Sequence, residues 1–247
     1  MKSNYLLGVI GGLGPMSTFY FCEMLTSHTL ANCDADHIDM LISSRASTPD
    51  RTAYILGKSC ESPLPIMQAE ARRLIDAGAN LLVIPCNTAH YFYDGLTEIA
   101  SVPILNIIEE TVLYLKKRNI KTFGLLATEG TVKSESYHRL CKKHGINCLT
   151  PDEKEQEQIS GMIYDAIKQN KPVDLSAFSQ ISKSLVDRGC ECLVLGCTEL
   201  SLLRKMELDS DVYVDSMEVL TYRTIIACNK TPIGFPDVFD CMQEEMV

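Results

Sequence analysis

Two of the eleven cysteines stand where a thiol could serve as an acid or a base. Cys86 closes the run "NLLVIPC" and is followed by "NTAH"; Cys197 closes "ECLVLGC" and is followed by "TEL". Each ends a short aliphatic stretch and precedes polar residues able to begin a helix. A helix start offers free N–H donors and the positive end of a dipole, which together favour a thiolate and lower its pKa toward neutrality. A thiolate so placed is a competent general base. Two of them on opposite sides of one cleft could take a proton from one face of a carbon and return one to the other. For Cys22, Cys33, Cys60, Cys141, Cys148, Cys190, Cys192, Cys228 and Cys241 the plain reading, a small buried apolar side chain, holds for most.

The elements needed to present such thiols are legible. Strand-like runs alternate with helical patterns along nearly the whole chain, as in parallel sheets built from βαβ units. "YLLGVI" leads into a glycine turn, and Ser17 and Thr18 are suited to cap the helix that follows. "PIMQAEARRLIDAG" places Met67, Ala71, Leu74 and Ile75 on one face, and "DLSAFSQISKSLVDRG" does the same with Leu175, Phe178, Ile181 and Leu185. "VKSESYHRLCKKHG" reads as one helix ending at Gly145. "LLVIP" and "ECLVLG" read as buried strands.

The chain also repeats itself. At an offset of 111 residues, "LIDAGANLLVIPC" matches "LVDRGCECLVLGC", pairing Leu74 with Leu185, Gly78 with Gly189, Leu82 with Leu193 and Cys86 with Cys197. A weaker pairing sets the strand and turn at Gly8 against those at Gly124. Both indicate two similar α/β lobes. The basic "LKKRNIKT" marks the junction, and "DSDVYVD" is expected to begin a return to the first lobe. The expected lobes are therefore residues 1–117 plus 213–247, and 118–212.

Bulk properties narrow the partners. A length of 247 residues can bury a substantial core without staples. A formal net charge of −9 opposes non-specific binding to nucleic acid or an anionic membrane. No convincing signal peptide opens the sequence and no aliphatic run approaches a membrane span, so the expected location is cytoplasmic, with thiols mostly reduced.

With these residues in view, the chain resembles the cofactor-independent aspartate/glutamate racemase family, and most closely its aspartate branch. The resemblance rests on "GVIGGLGPMST", "TPDRTAYI", "PCNTAH", "GLLATEGTVKSESY", "IYDAIK" and "LGCTEL", spread in order over most of the chain. It implies two similar Rossmann-like α/β lobes, each with a mainly parallel sheet, and an active site in the cleft between them. It implies catalysis by Cys86 and Cys197 on opposite faces of the substrate Cα, without pyridoxal phosphate or a metal. Asn87, Thr88, Thr128 and Thr198 would donate hydrogen bonds to the substrate. Arg51 would pair with a carboxylate, a task suited to a bidentate guanidinium, and Lys168 would bind substrate as well. The implied substrate is a small acidic amino acid, and a homodimer is the default assembly. Glutamate racemases usually carry histidine where Glu199 stands, which favours aspartate while leaving glutamate open.

Rival readings are weaker. "GGLGPMS" lacks the third glycine of a dinucleotide fingerprint, and no close ligand pairs suggest structural zinc. Spacing alone would leave Arg51 and Lys168 as solvated surface cations. His90 is read as a satisfied, partly buried histidine rather than a cleft residue. Glu199 could orient the second thiol or cap its helix. A related isomerase or decarboxylase, or an amino-acid sensor, remains the alternative; retention of both cysteines favours racemisation.

Overall fold

The computed structural model describes residues 5–206, 211–236 and 239. The first half runs β1 (Leu6–Gly11), α1 (Pro15–Ser27), β2 (Asp39–Ser44), α2 (Arg51–Ile55), α3 (Leu64–Asp76), β3 (Leu81–Val83), α4 (Tyr93–Thr97), β4 (Ile104–Leu105) and α5 (Ile107–Lys117). The second half opens with β5 (Thr122–Leu126), α6 (Glu129–Lys133), α7 (Ser136–His144), β6 (Asn147–Leu149) and α8 (Glu153–Gly161). It continues with α9 (Leu175–Asp187), β7 (Cys192–Leu195), α10 (Leu200–Met206), β8 (Tyr213–Asp215) and α11 (Ser216–Ala227).

The strands form two four-stranded sheets, β2-β1-β3-β4 and β6-β5-β7-β8. Every pairing within them is parallel, so the two sheets share one topology. The repeat read from sequence is this shared topology. Gly8 lies opposite Leu82 in the first sheet, and Gly124 lies opposite Leu193 in the second. A methyl at Gly8 would come within 2.5 Å of Leu82, and one at Gly124 within 2.6 Å of Leu193. Each glycine lets the same helix–strand layer close over it.

Alternation along the strands sorts their side chains into separate cores. Leu7, Val9, Leu81, Val83, Phe123, Leu125, Cys192 and Val194 join one cluster with residues of α1, α5, α7 and α11, so this core is common to both lobes. The opposite faces carry Ile10, Leu82 and Ile84 against α3 in one lobe, and Leu126, Leu193 and Leu195 against α8 and α9 in the other. The terminal helices hold the halves together: α5 of the first packs on α7 of the second, and α11 of the second packs on α1 of the first.

Several local expectations are revised. Tyr213–Asp215 does not return to the first lobe but pairs with β7; the helix after it makes the crossing. Gly14, not Ser17 or Thr18, is the N-cap of α1, because Pro15 already occupies the first turn. Thr18 instead turns back, accepting from the Gly12 N–H and donating to the Gly14 carbonyl, both at 2.9 Å. The single helix expected before Gly145 is broken at Glu135, whose φ of 55° separates α6 from α7. Leu175, at the start of α9, is exposed while Phe178, Ile181 and Leu185 are buried. Cys33 and Cys60 are exposed thiols, and Cys241 lies outside the described residues.

Candidate active site

Cys86 lies three residues beyond β3 and Cys197 two beyond β7, equivalent strands in the two sheets. This is where parallel sheets present ligand sites. Both cysteines line one cavity between the lobes. Arg51, Asn87 and Thr88 line it from the first lobe, and Thr128, Lys168 and Thr198 from the second. All eight residues picked out by sequence are therefore brought together. The free volume is about 10 Å³, room for roughly one water. It adjoins a wider vestibule of about 370 Å³ that shares Asp50, Arg51, Lys168 and Glu199 with it.

Three expectations about these residues change. First, burial dominates both thiols. Burial pushes the Cys86 pKa up, opposed by the nearby Arg51 charge, reinforced by Glu199, and opposed again by the Ala89 N–H and Lys168. Cys197 is pushed well above the usual thiol value by burial and then by Glu199, whose Oε2 accepts a 3.1 Å hydrogen bond from its Sγ. The segments after the cysteines are also short, a five-residue 3₁₀ turn at Thr88–Phe92 and the seven-residue α10, so their dipoles are modest.

Second, Arg51 is buried rather than superficial, at 7% exposure. Its terminal nitrogens donate to carbonyls, NH2 to Leu13 at 2.8 Å and NH1 to Pro49 at 3.1 Å. Three of its five N–H donors thus go to backbone, NH1 also meeting the Thr48 carbonyl at 3.4 Å, and Nε is a buried donor without a partner. The Nε–H, the second N–H of NH2 and a buried positive charge remain for an anion. Lys168 is exposed and sits 4.1 Å from the Tyr164 ring centroid, a cation–π geometry that leaves its ammonium at the cavity edge.

Third, the polar residues after Cys86 are engaged across the lobes. Asn87 accepts from Tyr137 Oη at 2.7 Å and donates to Ser216 Oγ at 2.9 Å. Thr88, Thr128 and Thr131 place their hydroxyls in a triangle with sides of 2.9, 2.9 and 3.0 Å. Thr198 donates to the Pro85 carbonyl at 3.3 Å. These side chains form an interlobe seam against the cavity.

His90 is buried with both nitrogens occupied. The Ile107 N–H donates to Nε2 at 3.3 Å, which leaves the proton on Nδ1 to donate to the Cys86 carbonyl at 2.8 Å. Burial lowers its pKa to about 4. It braces the strand end that carries Cys86.

Leu13, Asp50, Thr52, Tyr164 and Glu199 also line the cavity. All five stood inside motifs already singled out, beside the residues chosen from them. Asp50 had a signal: an aspartate just before a helix start is a capping residue, and it accepts from the Ala53 N–H at 2.7 Å. Tyr164 stood in "IYDAIK" but had no signal in periodicity, because it is displayed by a π-helical turn at Met162–Ala166. No cluster able to hold a metal ion occurs among the described residues.

Two topologically equal α/β lobes that bring paired cysteines to one cavity define a two-lobed protein with two thiols at one site. The chain belongs to the Asp/Glu/Hydantoin racemase family, whose model matches residues 10–223. It is thus an amino-acid racemase of that family. It is similar to an aspartate racemase of Picrophilus torridus, with a TM-score of 0.78, 28% identity, and coverage of 92% of this chain and 96% of that one. The broad specificity amino-acid racemase RacX of Bacillus subtilis is 26% identical over 237 residues, covering 89% of this chain and 96% of its own. A glutamate racemase of Francisella tularensis in complex with D-glutamate shares the fold, with a TM-score of 0.62 at 19% identity over 94% of this chain and 85% of its own.

Proposed function

We propose that this racemase interconverts L- and D-aspartate, with glutamate as a second substrate, by two-base proton transfer between Cys86 and Cys197 without pyridoxal phosphate. The observation that carries the reading is the meeting of both strand-end cysteines in one cavity with Arg51 and Lys168. In one direction the Cys86 thiolate takes the Cα proton and the Cys197 thiol gives its proton to the opposite face. The reverse direction exchanges the roles. Burial that raises a thiol pKa also makes its thiolate a stronger base, at the expense of the fraction ionised. Arg51 and Lys168 offset that expense and attract the substrate carboxylates on an otherwise acidic protein.

The test is L-aspartate in D₂O without added cofactor. Deuterium should enter at Cα and the optical rotation should decay to zero. Cys86→Ser and Cys197→Ser should each lower the racemisation rate at least a thousandfold; full two-way activity in either would exclude two-thiol catalysis. A chiral panel that includes glutamate and neutral amino acids sets the breadth, a question sharpened by the broad-specificity relative. Pairing into homodimers belongs to the same proposal and is read by sedimentation.

A further inference from the structure

The two half-sites are built on one topology but are not chemically alike. At the offset that equates Cys86 with Cys197, the residue equivalent to Glu199 is Thr88. Thr88 is neutral and held in the hydroxyl triangle, whereas Glu199 is a carboxylate, 5% exposed, that accepts from the Cys197 thiol at 3.1 Å. Its other oxygen reaches across to the glycine turn of the first lobe. A methyl at Gly14 would stand 2.9 Å from Glu199 Oε1, so the turn has space for the carboxylate because it lacks a side chain there. Cys86 has the Arg51 charge and the Ala89 N–H beside it; the Glu199 charge is felt there too, but its carboxylate takes its hydrogen bond from Cys197.

We propose that Glu199 is a positioning residue that makes the two thiols unequal, holding Cys197 as the protonated partner and leaving Cys86 as the base of the resting site. The other titratable groups lining the cavity are Asp50 and Arg51 from the first lobe and Tyr164 and Lys168 from the second. Lys168 and the charge of Glu199 act on both sulfurs, so the difference rests on the hydrogen bond from Cys197 to Glu199 and on Arg51 beside Cys86. After a turnover that begins at Cys86, the new Cys197 thiolate faces the Glu199 carboxylate, and repulsion drives proton exchange back to the starting form. The resting enzyme is therefore committed to the enantiomer whose Cα–H points at Cys86.

The proposal rests on the two-thiol reading, and its test separates the two. Iodoacetamide modification of the whole, substrate-free chain is followed at each cysteine by peptide mass spectrometry across pH, with exposed Cys33 and Cys60 as internal references. Cys86 should react at least tenfold faster than Cys197 at pH 8. Glu199→Gln should bring that ratio near one by accelerating Cys197, Gly14→Ala should do so in part by crowding the carboxylate, and Glu199→Asp should retain the ordering. A ratio unmoved by Glu199→Gln and Gly14→Ala overturns the proposal.

Kinetics give the second readout. Enantiomers have equal free energy, so kcat/KM must be the same in both directions for every active variant. In the wild type, the enantiomer taken by the resting form should show the lower KM and the lower kcat. Glu199→Gln should draw the two KM values together and shift the basic limb of the pH profile to lower pH. Two KM values already equal in the wild type would count against Glu199. If the labelling contrast appears but no amino acid exchanges its Cα proton, the racemase reading falls and the role of Glu199 stands.

Discussion

His90 is the residue that chemistry alone would most readily recruit and that the structure withholds from the cavity. Both of its nitrogens are used to brace the Cys86 strand end, and burial keeps it neutral. The consequence is a pH-dependent stability. Its folded pKa of about 4 lies below the ordinary histidine value of 6.5, so the unfolded chain takes up the proton first as pH falls. Stability from this group is complete above pH 6.5 and is lost progressively as pH drops toward 4, by up to about 3 kcal/mol. Denaturant unfolding of His90→Asn at several pH values should show a flatter acid limb than the wild type. At this scale the sequence was a good guide to which residues meet and a poor one to how they are used. The cysteine positions followed from strand ends, and those of the threonines and Lys168 from the family resemblance. The backbone bonds of Arg51 did not, because the carbonyls it meets come from Leu13, Thr48 and Pro49, one of them 38 positions away.

At the scale of elements, the repeat was legible because it is written in close packing. Gly8 and Gly124 are fixed by the leucines that cover them, and those leucines belong to the second, stronger stretch of self-similarity. Gly124→Ala should force Leu193 and Leu185 aside and destabilise the protein by about 1–3 kcal/mol, measured as a lower denaturant midpoint. An unchanged midpoint would mean that β5 and α9 can separate freely. The break between α6 and α7 and the π-helical turn that carries Tyr164 were illegible for a common reason. Each is a local departure from helical geometry, and apolar periodicity does not register it.

At the scale of the molecule, the site is a seam before it is a pocket. Tyr137, Asn87 and Ser216 are joined across the lobes in one buried chain of hydrogen bonds, and Thr88 is joined to Thr128 and Thr131 in another. Space for about one water means that substrate must part this seam or shift its side chains to enter. Tyr137→Phe removes one buried link, should cost about 1–2 kcal/mol of stability, and should alter KM more than it alters the folded topology. Calorimetric unfolding with and without substrate measures both effects; a wild-type KM and melting temperature would show that the link does not hold the lobes.

The trade of terminal helices has a consequence for how the chain could be divided. Each half carries the strands of its own sheet but lends its last helix to the other's first helices, α5 to α7 and α11 to α1. A backbone cut in the exposed turn between Lys117 and Thr122 would therefore yield two fragments, each with an uncovered apolar face and a helix with nothing to cover. Neither should fold alone, and mixing them should restore both at once, since each fragment holds the missing piece of the other. Fragment complementation would thus assemble the two thiols from separate chains, and recovery of activity would report on the docking of α5 and α11.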